Sequence, residues 1–319
     1  MRVLVWHVHG SWQTSFVAGP DEYLIPVVPD RGPDGRGRAR TWTWPASARE
    51  VAPEELRAAE PDVVVLQRPH EIELLERWTG LRAGVDVPAV YVEHNTPAGP
   101  AATTRHPLAD RSDIPVAHVT AFNALMWDCG RAPTTVVDHG VHDPGPLYTG
   151  ERERVAVVVN EPVRRGRVAG TDLLVHAAGR VPVEVYGMGV LGLADLVPDL
   201  AGHLHGDVPQ AQMHARLAGA RAYLHPFRWT SLGLALVEAM TIGMPVLALA
   251  TTAAPEAVPP SAGVVSSDPD VLVSAARRWL HDPEEARAHG RAARAHALEH
   301  FGLDRFLSDW QVLLKEVVR

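Results

Sequence analysis

The sequence predicts an α/β protein made of two parallel-sheet domains in tandem. Three observations carry this. Short β-branched runs alternate with Ala/Leu/Glu/Arg-rich segments along most of the chain. Some of those runs are apolar throughout, as in Asp62–Gln67 (DVVVLQ), which is how a parallel strand covered on both faces reads. Turn chemistry at His142-Asp143-Pro144-Gly145-Pro146, followed by polar Tyr148–Arg154, interrupts the alternation near the middle.

In the first half, strands are expected at Val3–Val8, Asp62–Gln67, Val87–Glu93, Val116–Thr120 and Thr135–Asp138, with helices at Ala52–Ala59 and His70–Leu81. Pro53, Pro69 and Pro88 fall at element edges, where a missing N–H costs least. Arg31–Arg40 (RGPDGRGRAR) reads as a mobile Gly/Arg loop. A new apolar run, Val155–Asn160, opens the second half, so the domains are set at 1–147 and 148–302. Helices follow near Asp172–Gly179, Gln210–Ala218, Leu232–Ile242 and Pro269–Trp279, and strands at Val183–Gly187, Ala222–His225 and Pro245–Ala250. The last segment, 303–319, is a helix whose apolar face is Phe306, Leu307, Trp310, Leu313 and Leu314.

Composition sets bounds on function. The chain has 319 residues, 46% hydrophobic, enough for two domains with cores of their own. A net charge of -8 argues against a general basic field for nucleic acid or anionic lipid, though not against a local basic pocket. The single cysteine, Cys129, permits no intrachain disulfide and reads as a buried apolar residue. Met1–Trp6 reads as a first buried strand rather than a leader, and no run reaches the roughly 18 apolar residues of a membrane span. The expectation is a cytoplasmic chain without nucleic-acid partners, its oligomeric state open.

The stretch with most chemical content is His225–Pro245, HPFRWTSLGLALVEAMTIGMP. A strand ends at His225-Pro226, a short loop carries Thr230, Ser231 and Gly233, and a helix follows that carries Glu238. Such a turn aims backbone N–H groups and the positive end of a helix dipole at one spot, which suits a phosphate. A carboxylate about two turns in could accept hydrogen bonds from a ribose diol.

This stretch resembles the donor-binding segment of the retaining glycosyltransferases of family four, which have the GT-B fold. Gly233-Leu234, Val237-Glu238-Ala239-Met240 and Gly243-Met244-Pro245-Val246 match the family's pattern, and Ala254–Val258 resembles its next element. The resemblance implies two Rossmann-like domains facing across a cleft, with the closing helix packed back toward the first. It implies that Glu238 binds the ribose hydroxyls and that the backbone around Thr230, Ser231, Leu232, Gly233 and Leu234 binds the diphosphate. The family has two glutamates with seven residues between them, and the first falls at Thr230, which departs from the pattern; Thr230 and Ser231 would offer the donor sugar neutral hydrogen bonds. Val155–Asn160 followed by Arg164, Arg165, Arg167 and Gly170 resembles the family's strand with its basic diphosphate contacts. Arg165 and Arg167 are the catalytic candidates there, because a guanidinium makes paired, charge-assisted hydrogen bonds. Gly206-Asp207-Val208 resembles the segment that reads the nucleotide base, and Val137–His142 the interdomain hinge. Val90–Asn95 resembles the strand ending in a histidine near the reacting centre, here His94. Gly10, within His9–Trp12, falls where a glycine loop approaches donor phosphates and acceptor.

The implied function is transfer of a sugar, with retention, from a UDP- or GDP-linked donor to a hydroxyl of a small molecule or glycan, without cofactor or metal. The protein's part is to hold both substrates and stabilise charge on the leaving diphosphate. A nucleotide-sugar epimerase, or a donor-binding protein without catalysis, would share the fold. Other patterns have simpler explanations. Gly187-Met188-Gly189-Val190-Leu191-Gly192 fits a dinucleotide fingerprint but falls in the second domain, not in a first βα unit. Asp268-Pro269-Asp270 reads as a helix cap rather than a metal-binding carboxylate pair. Trp42, Trp44 and Trp78 read as core or lid packing.

Overall fold

The computed structural model describes all residues, Met1–Arg319. Packing divides the chain into two compact units, Met1–Gly140 with Leu303–Arg319, and Val141–Gly302. The division thus falls at Gly140 rather than at Leu147. The turn-rich stretch between is tied to the second unit: Val141 N donates to Phe301 O (3.0 Å) and Tyr148 Oη to Arg221 O (2.7 Å).

The first unit runs β1 (Arg2–Val5), α1 (Gly10–Phe16), β2 (Glu22–Pro26), β3 (Ala48–Val51), α2 (Pro53–Leu56), β4 (Val63–Leu66), α3 (Glu71–Thr79), β5 (Ala89–Glu93), β6 (Val116–His118), α4 (Ala121–Met126) and β7 (Thr134–Val136). Its seven strands are ordered β3-β2-β1-β4-β5-β6-β7, with every pair parallel. The β-branched strand residues Val63, Val64 and Val65 are wholly buried. The second unit runs β8 (Arg152–Val158), α5 (Pro162–Arg165), α6 (Thr171–Ala178), β9 (Val183–Tyr186), β10 (Leu204–His205), α7 (Gln210–Leu217), β11 (Ala220–His225), α8 (Leu234–Thr241), β12 (Val246–Leu249), α9 (Ala254–Ala257), β13 (Gly263–Ser266), α10 (Pro269–His281) and α11 (Pro283–His300). Two 3-10 helices lie between β9 and β10. Its six strands are ordered β10-β9-β8-β11-β12-β13, again all parallel. The last helix, α12 (Leu303–Val318), belongs to the first unit: Trp310 meets Trp12 and Phe16 at centroid distances of 5.6 and 5.1 Å. No helix is long and apolar enough to cross a membrane.

Two of the departures from the sequence reading lie near the start of the chain. The Arg31–Arg40 segment is held at many points. Arg31 makes a two-pronged contact with Glu50 (2.9 and 3.0 Å), Arg38 donates to Trp44 O and Ala48 O, and Asp34 pairs with His70 (2.8 Å). Its arginines are internal donors to an otherwise strandless excursion, which is why Gly and Arg together did not produce a mobile loop. The first strand ends at Val5, and His9 already caps α1, an element the sequence reading omits.

Candidate functional site

In each sheet the strand order reverses once, between β1 and β4 and between β8 and β11. Connections leave in opposite directions there, opening a crevice beyond the carboxyl ends of the strands. The residues singled out above fall at or near these two points.

In the second unit, α5 follows β8 and ends at Arg165. The Arg165 guanidinium lies 5.4 Å from the centre of the Phe227 ring and has no carboxylate partner. Burial, then the neighbouring Arg164, lower its pKa. An uncompensated cation in part-dry surroundings is costly unless an anion arrives. Arg167 is different: its side chain is 76% exposed and pairs with Asp172 at 2.8 Å, as does Arg228 at 2.6 Å. Arg164, 72% exposed, faces Glu161 at 3.7 Å. The charge left unneutralised is therefore that of Arg165.

The chain after β11 builds the opposite wall. His225 packs on Phe227 (4.6 Å) and close to Tyr223 Oη, and burial holds its pKa down to about 3, so it is neutral near pH 7. Gly233, the N-cap of α8, lies against it; a Cβ there would sit 2.4 Å from His225 Cε1. Thus Arg165, Phe227, His225 and Gly233 form one continuous packed row. Gly170, with φ of 73°, lies so close to Pro226 that a Cβ would be 1.9 Å from its carbonyl oxygen. Ser231 and Leu232 are buried, Thr230 and Leu234 partly so. Glu238, only 5% exposed, is held from α7: Gln210 Nε2 donates to Oε1 (3.0 Å) and His214 Nε2 lies 3.2 Å from Oε2. Sequence reading missed Gln210 and His214; their i, i+4 spacing puts both on one helix face, but nothing in sequence says that the face meets Glu238. Asp207 is exposed and Val208 partly so, in the turn between β10 and α7.

In the first unit, His94 follows β5 and its ring meets that of His9 at 4.1 Å and of Trp12 at 4.9 Å. His94 Nε2 lies 3.0 Å from Gln67 Oε1, at the end of β4. Burial lowers the pKa of His94 well below that of a free imidazole, with His9 and His139 adding repulsion. Burial first, then charge, brings His9 to about 4 and His139 to about 3, so neutral imidazoles gather here. Gly10 begins α1, and the Trp42 ring lies over it: a Cβ would come 2.6 Å from Trp42 Cη2. Trp44 is buried and donates to Thr14 Oγ1, while Trp78 stacks on Trp6.

The glycine pattern at Gly187–Gly192 follows β9 and opens a 3-10 helix, Val190–Asp195, not the α-helix whose dipole a dinucleotide needs. Asp268 caps α10, accepting from Asp270 N at 2.9 Å. Cys129 is buried beside His118.

Comparison with known proteins places this geometry. The family model for glycosyl transferases group 1 matches residues 202–296, which contain α7, β11, the loop and α8. The MMP alpha-(1->4)-mannosyltransferase of Mycolicibacterium hassiacum is 30% identical over 132 residues, which is 40% of this chain and 29% of that enzyme. The match therefore spans under a third of that relative's length. Sucrose-phosphate synthase from Thermosynechococcus elongatus superposes with a TM-score of 0.74 at 14% identity, over 99% of both chains. Anabaena HepE in complex with UDP does so with a TM-score of 0.70 at 15% identity, over 99% of this chain and 100% of that one. Two parallel sheets with these strand orders and these neighbours make the fold GT-B, and residues 202–296 are similar to the glycosyl transferases group 1.

Proposed function

We propose that the chain is a retaining glycosyltransferase that moves a sugar from a nucleoside-diphosphate sugar to a hydroxyl of a small molecule or glycan. The observation that carries the reading is the unpaired Arg165 guanidinium packed, through Phe227 and His225, against the start of α8. That row offers a cation and helical N–H groups to one anion, and Glu238 lies farther along the same helix for a diol. HepE, a GT-B protein of the same fold, is described in complex with UDP and with UDP-glucose, which supports a nucleoside-diphosphate sugar as the class of donor. Charge on the leaving diphosphate is then met by Arg165 and the α8 N-terminus rather than by a metal, and the departing phosphate takes the acceptor's proton. His94, neutral and in the first unit, orients the acceptor hydroxyl. Thr230 leaves the sugar pocket less acidic than in relatives with two glutamates.

A thermal-shift panel of UDP, GDP, ADP, TDP, their sugars and NAD tests the donor half. A ligand bound only by the folded chain raises the melting midpoint once its concentration passes its dissociation constant. One nucleoside diphosphate should do so, and Glu238→Ala should abolish the effect. Stabilisation by NAD alone would overturn the reading. With the donor known, product formed without any acceptor points to an epimerase, and binding with neither transfer nor hydrolysis to a non-catalytic binder.

A further inference from the structure

The hydrogen bonds at the end of β4 decide more about His94 than its position. Gln67 is buried, with 4% of its surface exposed. Its Nε2 lies 2.7 Å from the carbonyl oxygen of Trp6. A backbone carbonyl can only accept, so the Gln67 atom facing it must be the NH2 group. The second Nε2 hydrogen is directed to Gln13 Oε1 at 3.2 Å. The backbone is held as well: Gln67 N donates to Glu71 Oε2 (2.6 Å) and Tyr91 Oη donates to Gln67 O (3.2 Å). The amide cannot flip without setting an oxygen against an oxygen.

Oε1 therefore faces His94 Nε2 at 3.0 Å, and it too can only accept. The ring nitrogen opposite must carry the hydrogen. We propose that Gln67 is a positioning residue that fixes neutral His94 as its Nε2–H tautomer, leaving Nδ1 as the one ring nitrogen with a lone pair to offer. Trp6 O orients the amide, the amide orients the imidazole, and the imidazole presents an acceptor atom. Its use in turnover rests on the reading of His94 above: Nδ1 would accept a hydrogen bond from a second hydroxyl of the acceptor and so hold the attacking oxygen in line, while the attacking hydroxyl's own hydrogen stays free for the departing phosphate. A side chain at Gln67 unable to accept would let the proton move to Nδ1 and turn that atom from acceptor to donor.

The tautomer can be read without any activity. Nitrogen-15 NMR of histidine-labelled full-length protein at pH 7.5 separates protonated from unprotonated ring nitrogens, and the spectrum of His94→Gln identifies the His94 signals. The proposal expects His94 in the wild type to be protonated at Nε2 alone, and expects Gln67→Leu to give a mixture or the Nδ1–H form. Wild-type His94 protonated at Nδ1 overturns it, and so does a pure Nε2–H form that survives Gln67→Leu. Should Gln67→Leu fail to fold, Gln67→Met, which keeps the length but not the strong acceptor, serves for the same measurement. In turnover, misplacing such a positioned group can cost about 100-fold; that loss should appear in kcat, with the donor KM unchanged. Failure of the underlying reading is distinguishable: His94→Gln would then transfer sugar at the wild-type rate while the Gln67-dependent tautomer remained.

Discussion

At position 165 a guanidinium rests on an aromatic ring with no acid beside it, while two positions on another is exposed and paired. That contrast assigns different consequences to two arginines that look alike in sequence. Arg165→Ala should lower kcat about 100-fold or more, the usual cost of removing one preorganised donor from developing negative charge. Arg167→Ala breaks an exposed pair worth about 1 kcal/mol at most, and turnover should stay within about fivefold. Steady-state kinetics on the two variants with the donor found by thermal shift decides this; equal losses would remove Arg165 from its role. The sequence narrowed the choice to a basic cluster, since the strand-then-arginine order is visible there. It could not choose within the cluster, because Asp172 and Phe227 are brought to these side chains only by folding. Glu238 was legible by its motif, but its holders Gln210 and His214 were not.

At the scale of elements, packing of α11 on α8 is the feature with most consequence. Gly290 of α11 lies so close that a Cβ would approach Gly243 O to 2.2 Å. Gly243 itself follows α8 with φ of 96° and turns the chain into β12. Gly290→Ala should therefore lower stability by about 1–3 kcal/mol through overpacking, measured by urea denaturation, and a stabilised variant would refute the close approach. Because α8 carries Glu238, donor affinity should fall with it. This 18-residue helix went unread because its Ala, Arg and His residues form no sharp apolar stripe; only Ala286, Gly290, Ala293 and Ala297 are buried, and small residues carry a weak pattern. By contrast α10 was legible at its start, since Asp268 and Pro269 are local signals that need no partner. The amphipathic α12 was equally plain, with Phe306, Trp310, Leu313 and Leu314 all buried.

For the whole molecule, acid should be the telling stress. His118, His139 and His225 are buried, and burial holds their pKa values at about 4, 3 and 3, against 6.5 for a free imidazole. The folded pKa values are lowered, so below pH 6.5 the unfolded chain binds protons that the folded chain refuses. Stability is then full above pH 6.5 and is lost as pH falls toward the folded values. Each pKa unit corresponds to about 1.4 kcal/mol, so each histidine contributes up to about 3 kcal/mol of loss between pH 6.5 and 4. Denaturation midpoints recorded from pH 7.5 to 4.5 should fall steeply below 6.5, and less steeply in His225→Asn. A flat profile would show that these imidazoles meet water more freely than their packing indicates.

The sequence by itself determined the α/β class, the β-α alternation in both halves, the GT-B resemblance and the strand-loop-helix order of His225–Thr241. Those follow from periodicity, proline and glycine punctuation and short motifs, which act within a few residues of where they are written. Tertiary structure alone decided which arginine is left without a partner, what holds Glu238, how His94 is oriented by Gln67, and that the Arg31–Arg40 segment is pinned. Each of these joins residues that the sheets bring together from distant strands and helices, such as Trp6 with Gln67 or Gln210 with Glu238. A hydrogen bond or an ion pair is a property of two positions in space, and no local pattern in the chain encodes it.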